Sequence, residues 1–367
     1  MSPDKRYIQQ KEEMMSGKEK CIAKITIIGC MVLVSLFLLP VVSFAQAQGD
    51  ANAKRTDDQT SKAFDIMQIH RLLLPYSFSP RVGVTLGYDS NVNLDNARKG
   101  DMFEDFALSM RFSKPWLENI KWSEGINFTF NYDLDVLNYN RVTDASNILN
   151  HFVFGLNKKY GPFTAGIGHD LGILYYPNNE DGDFIFNKNF IYLRQNIFKK
   201  FYHQLRFEGG LKQYTNKHAL GDSLNTLQDK KRHDDRYSLD YSIGANLTPA
   251  LFARWNSRYT VNESNAIYLD FYDYTAIETS AYLEYQLMRR LYLFSKLTFM
   301  HKDYSRTVTL RDYEQRDNYY AGLIGGTYQL NKNNALTASY TRRQNYSNDR
   351  LEKYFENVFT GGWQYSF

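Results

Sequence analysis

Residues 120–136 read Ile-Lys-Trp-Ser-Glu-Gly-Ile-Asn-Phe-Thr-Phe-Asn-Tyr-Asp-Leu-Asp-Val. Ile120, Trp122, Ile126, Phe128, Phe130, Tyr132, Leu134 and Val136 share one parity, while Asn127, Thr129, Asn131, Asp133 and Asp135 share the other. A period of two sends successive side chains to opposite faces of an extended strand. The segment therefore predicts a strand that is apolar on one face and polar on the other. Residues 82–88 repeat the pattern, with Val82, Val84, Leu86 and Tyr88 opposed to Gly83, Thr85 and Gly87. So do residues 237–247, where Tyr237, Leu239, Tyr241, Ile243, Ala245 and Leu247 oppose Ser238, Asp240, Ser242, Gly244 and Asn246.

Similar runs predict strands at 79–90, 101–113, 120–138, 147–158, 163–176, 184–197, 202–214, 236–247, 251–262, 273–287, 291–304, 317–330, 335–346 and 354–367. That makes about fourteen, with twelve to sixteen as the range. The runs at 184–197, 291–304 and 317–330 alternate poorly. Every second connection is tight: Lys114-Pro115-Trp116, Tyr160-Gly161-Pro162, Phe198-Lys199-Lys200-Phe201, Thr248-Pro249-Ala250, Met288-Arg289-Arg290 and Asn331-Lys332-Asn333-Asn334. The intervening connections are longer and polar, including Asn91–Gly100, Asn178–Asp183 and the charged stretch Thr215–Asp235. Short turns at one rim and long loops at the other are the mark of an outer-membrane barrel. The fold class that follows is all-β, a transmembrane antiparallel up-and-down β-barrel.

Composition fits this and closes other classes. Twenty-nine Tyr and 25 Phe coexist with a mean hydropathy of −0.52, as expected when each strand has one face of each kind. Beyond the N-terminus no stretch approaches the ~20 apolar residues of a spanning helix. Two cysteines make no disulfide scaffold, and 43 % hydrophobic residues argue against disorder. Tyr139, Tyr160, Phe201, Tyr202, Tyr214, Tyr259, Tyr272, Tyr274, Tyr346, Tyr354 and Phe355 fall near strand ends, the expected place of interfacial aromatic girdles.

The N-terminal 47 residues read as a secretory signal. Lys18, Lys20 and Lys24 precede an uncharged run from Ile25 to Ala47 that ends in small residues after Pro40. Ile27-Ile28-Gly29-Cys30 mimics a lipoprotein box, but too few apolar residues precede Cys30 to make an h-region. Both cysteines, Cys21 and Cys30, leave with the signal. Its removal takes away six Lys/Arg and four Asp/Glu, so the net charge falls from +4 to +2. No polybasic block survives, and nucleic-acid binding has no electrostatic footprint. Residues 48–78 are expected to form a periplasmic segment or plug, and residues 79–367 the barrel.

The last segment supplies a resemblance. Phe355, Phe359, Gly361, Trp363, Tyr365 and Phe367 fall on one parity up to the terminal Phe367. This resembles the final strand of Gram-negative outer-membrane β-barrel proteins. The resemblance implies that Trp363, Tyr365 and Phe367 are read by the barrel-assembly machinery. Gly87-Tyr88-Asp89-Ser90-Asn91-Val92-Asn93 is similar to the opening strand of porin-type barrels and of the barrel domain in surface lipoprotein assembly modifiers. The assembly modifiers carry helical repeats before the barrel. The stretch 48–78 is too short for these, which favours a stand-alone barrel.

Catalytic spacing is absent from the sequence, and an enzyme is not expected. His169 or His151 with Ser146 or Ser109 would be the candidates for a lipid-facing enzyme, with an ordinary rim or lumen histidine as the far commoner reading. His218 and His233 with Asp222, Asp229, Asp234 and Asp235 offer cation ligands, although a solvated charged loop is the commoner reading. The expectation is no metal and no cofactor. The polar parity carries Arg81, Asp89, Arg111, Asp133, Asp135, Arg206, Glu208, Lys212, Asp240, Arg254, Arg258 and Glu284. These are the candidates for lining the lumen, and Arg206, Arg254 and Arg258 point to anionic solutes. Fourteen strands exceed the roughly eight whose interior side chains alone can fill. The leading expectation is a porin-like channel for passive or weakly selective diffusion of small hydrophilic solutes. An export barrel for polysaccharide or surface (lipo)protein, with a periplasmic partner, is the first alternative, and a lipid-facing enzyme the second. Outer-membrane lipid and lipopolysaccharide are the expected surroundings.

Overall fold

A computed structural model describes residues 79–95, 98–115, 125–197, 200–223, 225–268, 272–308 and 314–367. The signal segment, residues 48–78 and the turn at 116–124 lie outside the described residues. The strands are β1 (Ser79–Asp89), β2 (Asp101–Pro115), β3 (Ile126–Tyr139), β4 (Asn147–Tyr160), β5 (Phe163–Tyr175), β6 (Phe184–Ile197), β7 (Phe201–Leu220), β8 (Leu227–Thr248), β9 (Leu251–Ser264), β10 (Tyr274–Met288), β11 (Leu291–Val308), β12 (Glu314–Gln329), β13 (Asn334–Ser347) and β14 (Tyr354–Ser366). Each pairs antiparallel with its sequence neighbours, and β1 pairs with β14 to close a fourteen-strand barrel. At that seam Val82 faces Tyr365 and Val84 faces Trp363. Among the described strands closure leaves no edge with unpaired backbone groups, which a bilayer would not tolerate.

The faces are inverted relative to a soluble protein. Leu86, Ile167, Ile191, Leu297 and Ile324 are each more than half exposed on the convex surface. In water each would forfeit roughly 1.5–3 kcal/mol of burial, whereas against lipid it is at home. The opposite parity holds the polar residues. Contacts that skip a strand identify it as the concave side: Tyr139 of β3 reaches Asp89 of β1, and Arg232 of β8 reaches Tyr272, just before β10.

The two-residue turn Gly161-Pro162 joins Tyr160 to Phe163, which face each other in register. Gly161 has φ 57°, a conformation in which a side chain would clash. At the opposite rim the stretch Thr215–Asp235 departs from expectation. It continues as paired strand through most of its length, because β7 runs to Leu220 and β8 begins at Leu227. Register shifts after Gln213 and around His218 absorb the irregularity. Its polar residues find partners on the hairpin itself, so the ladder continues toward Leu220 and Leu227. His218 Nδ1 bonds to the Gln228 carbonyl, and Arg232 chelates Asp234. No metal-ligand cluster exists among the described residues.

The aromatic girdle is only partly as the strand ends imply. Tyr160, Phe201, Tyr259 and Tyr346 do face outward and are exposed. Tyr139, Tyr214, Tyr272, Tyr274 and Tyr354 are instead buried. Tyr139, Tyr214, Tyr272 and Tyr274 belong to inward clusters near the loop-bearing rim, such as Leu149, Leu174, Tyr176, Phe184, Phe186 and Tyr214, and Val92, Phe103, Leu137, Tyr139, Ala145 and Val358. A strand end places a tyrosine at a rim, but parity decides whether it faces outward or into the lumen.

Candidate functional site: the inner wall

The inner wall is built from the alternate residues of each strand, so charge placed at every second position of neighbouring strands meets across the ladder. On β2 to β7 this produces a continuous chain of contacts. Ser109 donates to Asp133 at 2.7 Å, and His151 lies 3.8 Å from Asp133 and 2.7 Å from Asp170. Lys188 bridges Asp170 at 3.3 Å and Glu208 at 3.9 Å. Arg206 pairs with Glu208 at 2.5 Å. One strand further on, Arg258 of β9 grips Asp240 of β8 through Nε at 2.5 Å and Nη2 at 3.2 Å.

Charge count on this wall is mixed, but depth is not. The side chains of Lys188, Arg206 and Arg258 are 26, 26 and 40 % exposed. Their partners Asp170, Glu208 and Asp240 are 10, 7 and 9 % exposed. Long basic side chains carry their charge out to the water while short carboxylates stay against the backbone. The surface that a solute meets in this sector is therefore basic.

Aromatic rings hold the cations in place. β6 presents Phe184, Phe186, Lys188, Phe190, Tyr192 and Arg194 inward on successive alternate positions. Lys212 lies 4.0 Å over Phe184, Lys188 5.0 Å over Phe186, Arg206 3.8 Å over Phe190 and Arg194 3.8 Å over Tyr202. Such contacts contribute roughly 0.5–2 kcal/mol each. β5 makes room for the rings: a Cβ at Gly166, Gly168 or Gly172 would collide with Tyr192, Phe190 or Phe186 respectively. The poor alternation of 184–197 has this origin: aromatic rings on the inward parity and Ile185, Ile191, Leu193 and Ile197 on the outward one make both faces apolar and hide a period of two.

All twelve lumen-lining candidates lie on the inward parity, but they do different things. Arg206, Glu208, Asp240, Arg254 and Arg258 gather on β7 to β9. Glu284 accepts the Tyr282 hydroxyl at 2.8 Å. Arg81, Asp89 and Lys212 are buried, and Asp89 and Lys212 belong to the packing of the loop-bearing end. Arg111 is half-buried beside Ser79 of β1. Trp363, Tyr365 and Phe367 face outward as a contiguous aromatic patch, with Trp363 to Tyr365 at 6.2 Å and Tyr365 to Phe367 at 4.8 Å. Trp363 Nε1 donates to Asn334 at 3.0 Å.

The histidine–serine candidates do not assemble into a nucleophile and base. Ser109 and His151 are on the inner wall, not the lipid face, and Ser109 bonds the carboxylate of Asp133 rather than the imidazole. Ser146 accepts the Tyr139 amide at 2.9 Å. His169 does face lipid, where it bonds Asn189 at 3.0 Å. Its outward neighbours on β5, Ile167 and Leu171, bring no hydroxyl.

A closed fourteen-strand barrel with a lipid-facing apolar surface and a polar, charged inner wall defines the class: this is an outer-membrane β-barrel protein. No family model and no curated protein sequence matches the chain. Among solved structures it is similar to OmpT of Vibrio cholerae, at 7 % identity over 80 % of this chain and 100 % of that one, with a TM-score of 0.44. It is also similar to an anion-selective porin from Comamonas acidovorans, at 11 % identity over 79 % and 99 % with a TM-score of 0.43. The CymD monoaromatic hydrocarbon channel gives 8 % identity over 80 % and 89 % with a TM-score of 0.46.

Proposed function

We propose that this protein is an outer-membrane channel for passive diffusion of small hydrophilic solutes, with a weak preference for anions. The observation that carries this reading is the difference in depth between Lys188, Arg206 and Arg258 and the carboxylates behind them. A wall of fixed ammonium and guanidinium groups attracts anions and raises the barrier to cations. The inward clusters near the loop-bearing rim favour small solutes over a polymer, which weighs against an export barrel. No covalent chemistry is part of the reading. Trp363, Tyr365 and Phe367 would serve the barrel-assembly machinery, and the outer surface would meet membrane lipid and lipopolysaccharide.

The test is planar-bilayer recording of refolded protein in a KCl gradient. Discrete conductance with a reversal potential favouring chloride is expected. Silent membranes, both with and without residues 48–78, would overturn the channel reading. Conductance with cation preference would overturn its selectivity.

A further inference from the structure

Two arginines of the inner wall stand outside the ion-pair network. Arg194 of β6 lies over the Tyr202 ring and donates through Nε to Asn196 at 3.2 Å. Arg254 of β9 lies 5.6 Å from the Tyr282 ring. Among the described residues neither pairs with a carboxylate. Each guanidinium is thus steered by an aromatic ring rather than by a carboxylate, with Glu284 bonded to the hydroxyl of the ring beside Arg254.

Register sets these two beside the half-buried, paired arginines Arg206 and Arg258. Arg206, Asp240 and Arg258 are directly opposite one another across β7, β8 and β9. Four residues nearer the short-turn rim, Tyr202, Gly244 and Arg254 form a parallel row across the same strands. A Cβ at Gly244 would collide with the Tyr202 ring, so glycine is what lets that ring lie across the wall beneath Arg194. Adjacent strands are about 4.8 Å apart, so Arg206 and Arg258 are rooted about 10 Å from each other, and the two rows about 13 Å apart.

We infer that Arg194, Arg206, Arg254 and Arg258 form a binding site inside the lumen for a solute carrying two or more oxyanion groups, carboxylate or phosphate. The inference rests on the channel reading and names the solute class the channel retains. A guanidinium presents a planar fork that matches either oxyanion bidentately. Asp240 and Glu208, with Glu278 directly opposite Arg258 on β10, neutralise Arg258 and Arg206 in part, which keeps the site weak enough to release its occupant. Arg194 and Arg254, which form no ion pair among the described residues, supply the remaining positive charge. A monoanion engages one fork, while a multivalent anion gains from several at once.

Single-channel recording with citrate, pyrophosphate or acetate at matched ionic strength tests this. Citrate or pyrophosphate is expected to block the current saturably and acetate to change it only linearly. Saturable block by citrate alone would assign the site to carboxylates, and by pyrophosphate alone to phosphates. In the R194Q/R254Q variant, checked for folding by heat-modifiable gel mobility, the half-blocking concentration should rise about tenfold or more. An I191V control on the outer face of β6 should retain wild-type block. Open channels with no saturable block, or equal block in R194Q/R254Q, would overturn the inference while leaving the channel reading intact. If the membranes stay silent, calorimetric titration of the detergent-refolded protein with citrate decides separately. Binding that weakens in R194Q/R254Q supports the site, and no binding sinks it.

Discussion

Tyr139 donates its hydroxyl to Oδ2 of Asp89 at 3.0 Å, although fifty residues separate them in the chain. Asp89 also accepts the Asn91 amide through Oδ1 at 2.9 Å. Asn91 in turn donates to the Phe355 carbonyl of β14 at 3.0 Å. Beside it, Ser90 and Asn357 exchange hydrogen bonds, Ser90 N to the Asn357 carbonyl at 2.9 Å and Asn357 N to Ser90 Oγ at 2.7 Å. The segment Gly87–Asn93 is thus a clasp over the junction of the first and last strands.

Tyr139→Phe should remove the hydroxyl that donates to Oδ2 of the fully buried Asp89. Leaving a buried charged acceptor short of a donor costs roughly 1–3 kcal/mol. A lower midpoint of urea unfolding for the refolded barrel is expected, with Asp89→Asn in the Tyr139→Phe background recovering part of it. An unchanged midpoint would show that the clasp does not hold the seam.

Gly172→Ala should displace the Phe186 ring, which occupies the space of the new methyl group. Overpacking of this kind costs typically 1–3 kcal/mol. Because Lys188 lies over that ring, the substitution should also alter chloride-over-potassium permeability. Thermal stability by heat-modifiable mobility and the reversal potential check the two effects separately.

Arg232 and Asp234 form a bidentate pair at 2.9 and 2.7 Å, 1 and 0 % exposed at their side chains. Arg232 also lies 3.5 Å from the centroid of the Tyr272 ring. Arg232→Ala should strand Asp234 as a buried charge, at roughly 3–5 kcal/mol. The loss should surface as protease cleavage of the β7–β8 hairpin. The double variant Arg232→Met/Asp234→Leu should be less sensitive, since it removes both charges.

Asp183 supplies a pH dependence outside the membrane. Burial, reinforced by Glu180 and Asp181, pushes its carboxyl up to about 6, against the opposing pull of its hydrogen bond from the Tyr176 amide. A carboxyl whose folded value lies above the ordinary ~3.9 favours the folded loop when protonated. That stability is fully present below about pH 4 and is lost as pH rises through about 6. Hydrogen-exchange protection of the Tyr176 amide should therefore fall between pH 4 and 7 and then level off. In Asp183→Asn it should be flat, because the amide oxygen still accepts the bond without titrating.

Much of the barrel is legible in the chain because parity is a local property. The alternation at Phe128, Phe130 and Tyr132 against Asn127, Thr129 and Asn131 needs no partner strand to be read. The site is less legible. Arg206, Asp240 and Arg258 were visible as charges, but Asp170 and Lys188 enter only through register, which aligns them across β5 and β6. Phe186 and Phe190 escape a reading by period because β6 is apolar on both faces, aromatic inward and aliphatic outward, and the glycines of β5 that seat them are neutral to any pattern.

What the sequence by itself determined is the strand period, the sorting of short turns from long loops, and the sign of charge at each inward position. These follow from backbone geometry and residue chemistry within one segment. Only the tertiary structure decided how far each charge reaches and what lies beneath it. Depth depends on side-chain length measured from a wall that exists only once β1 meets β14. That is why a chain nearly neutral in composition presents, along β6 to β9, a basic surface.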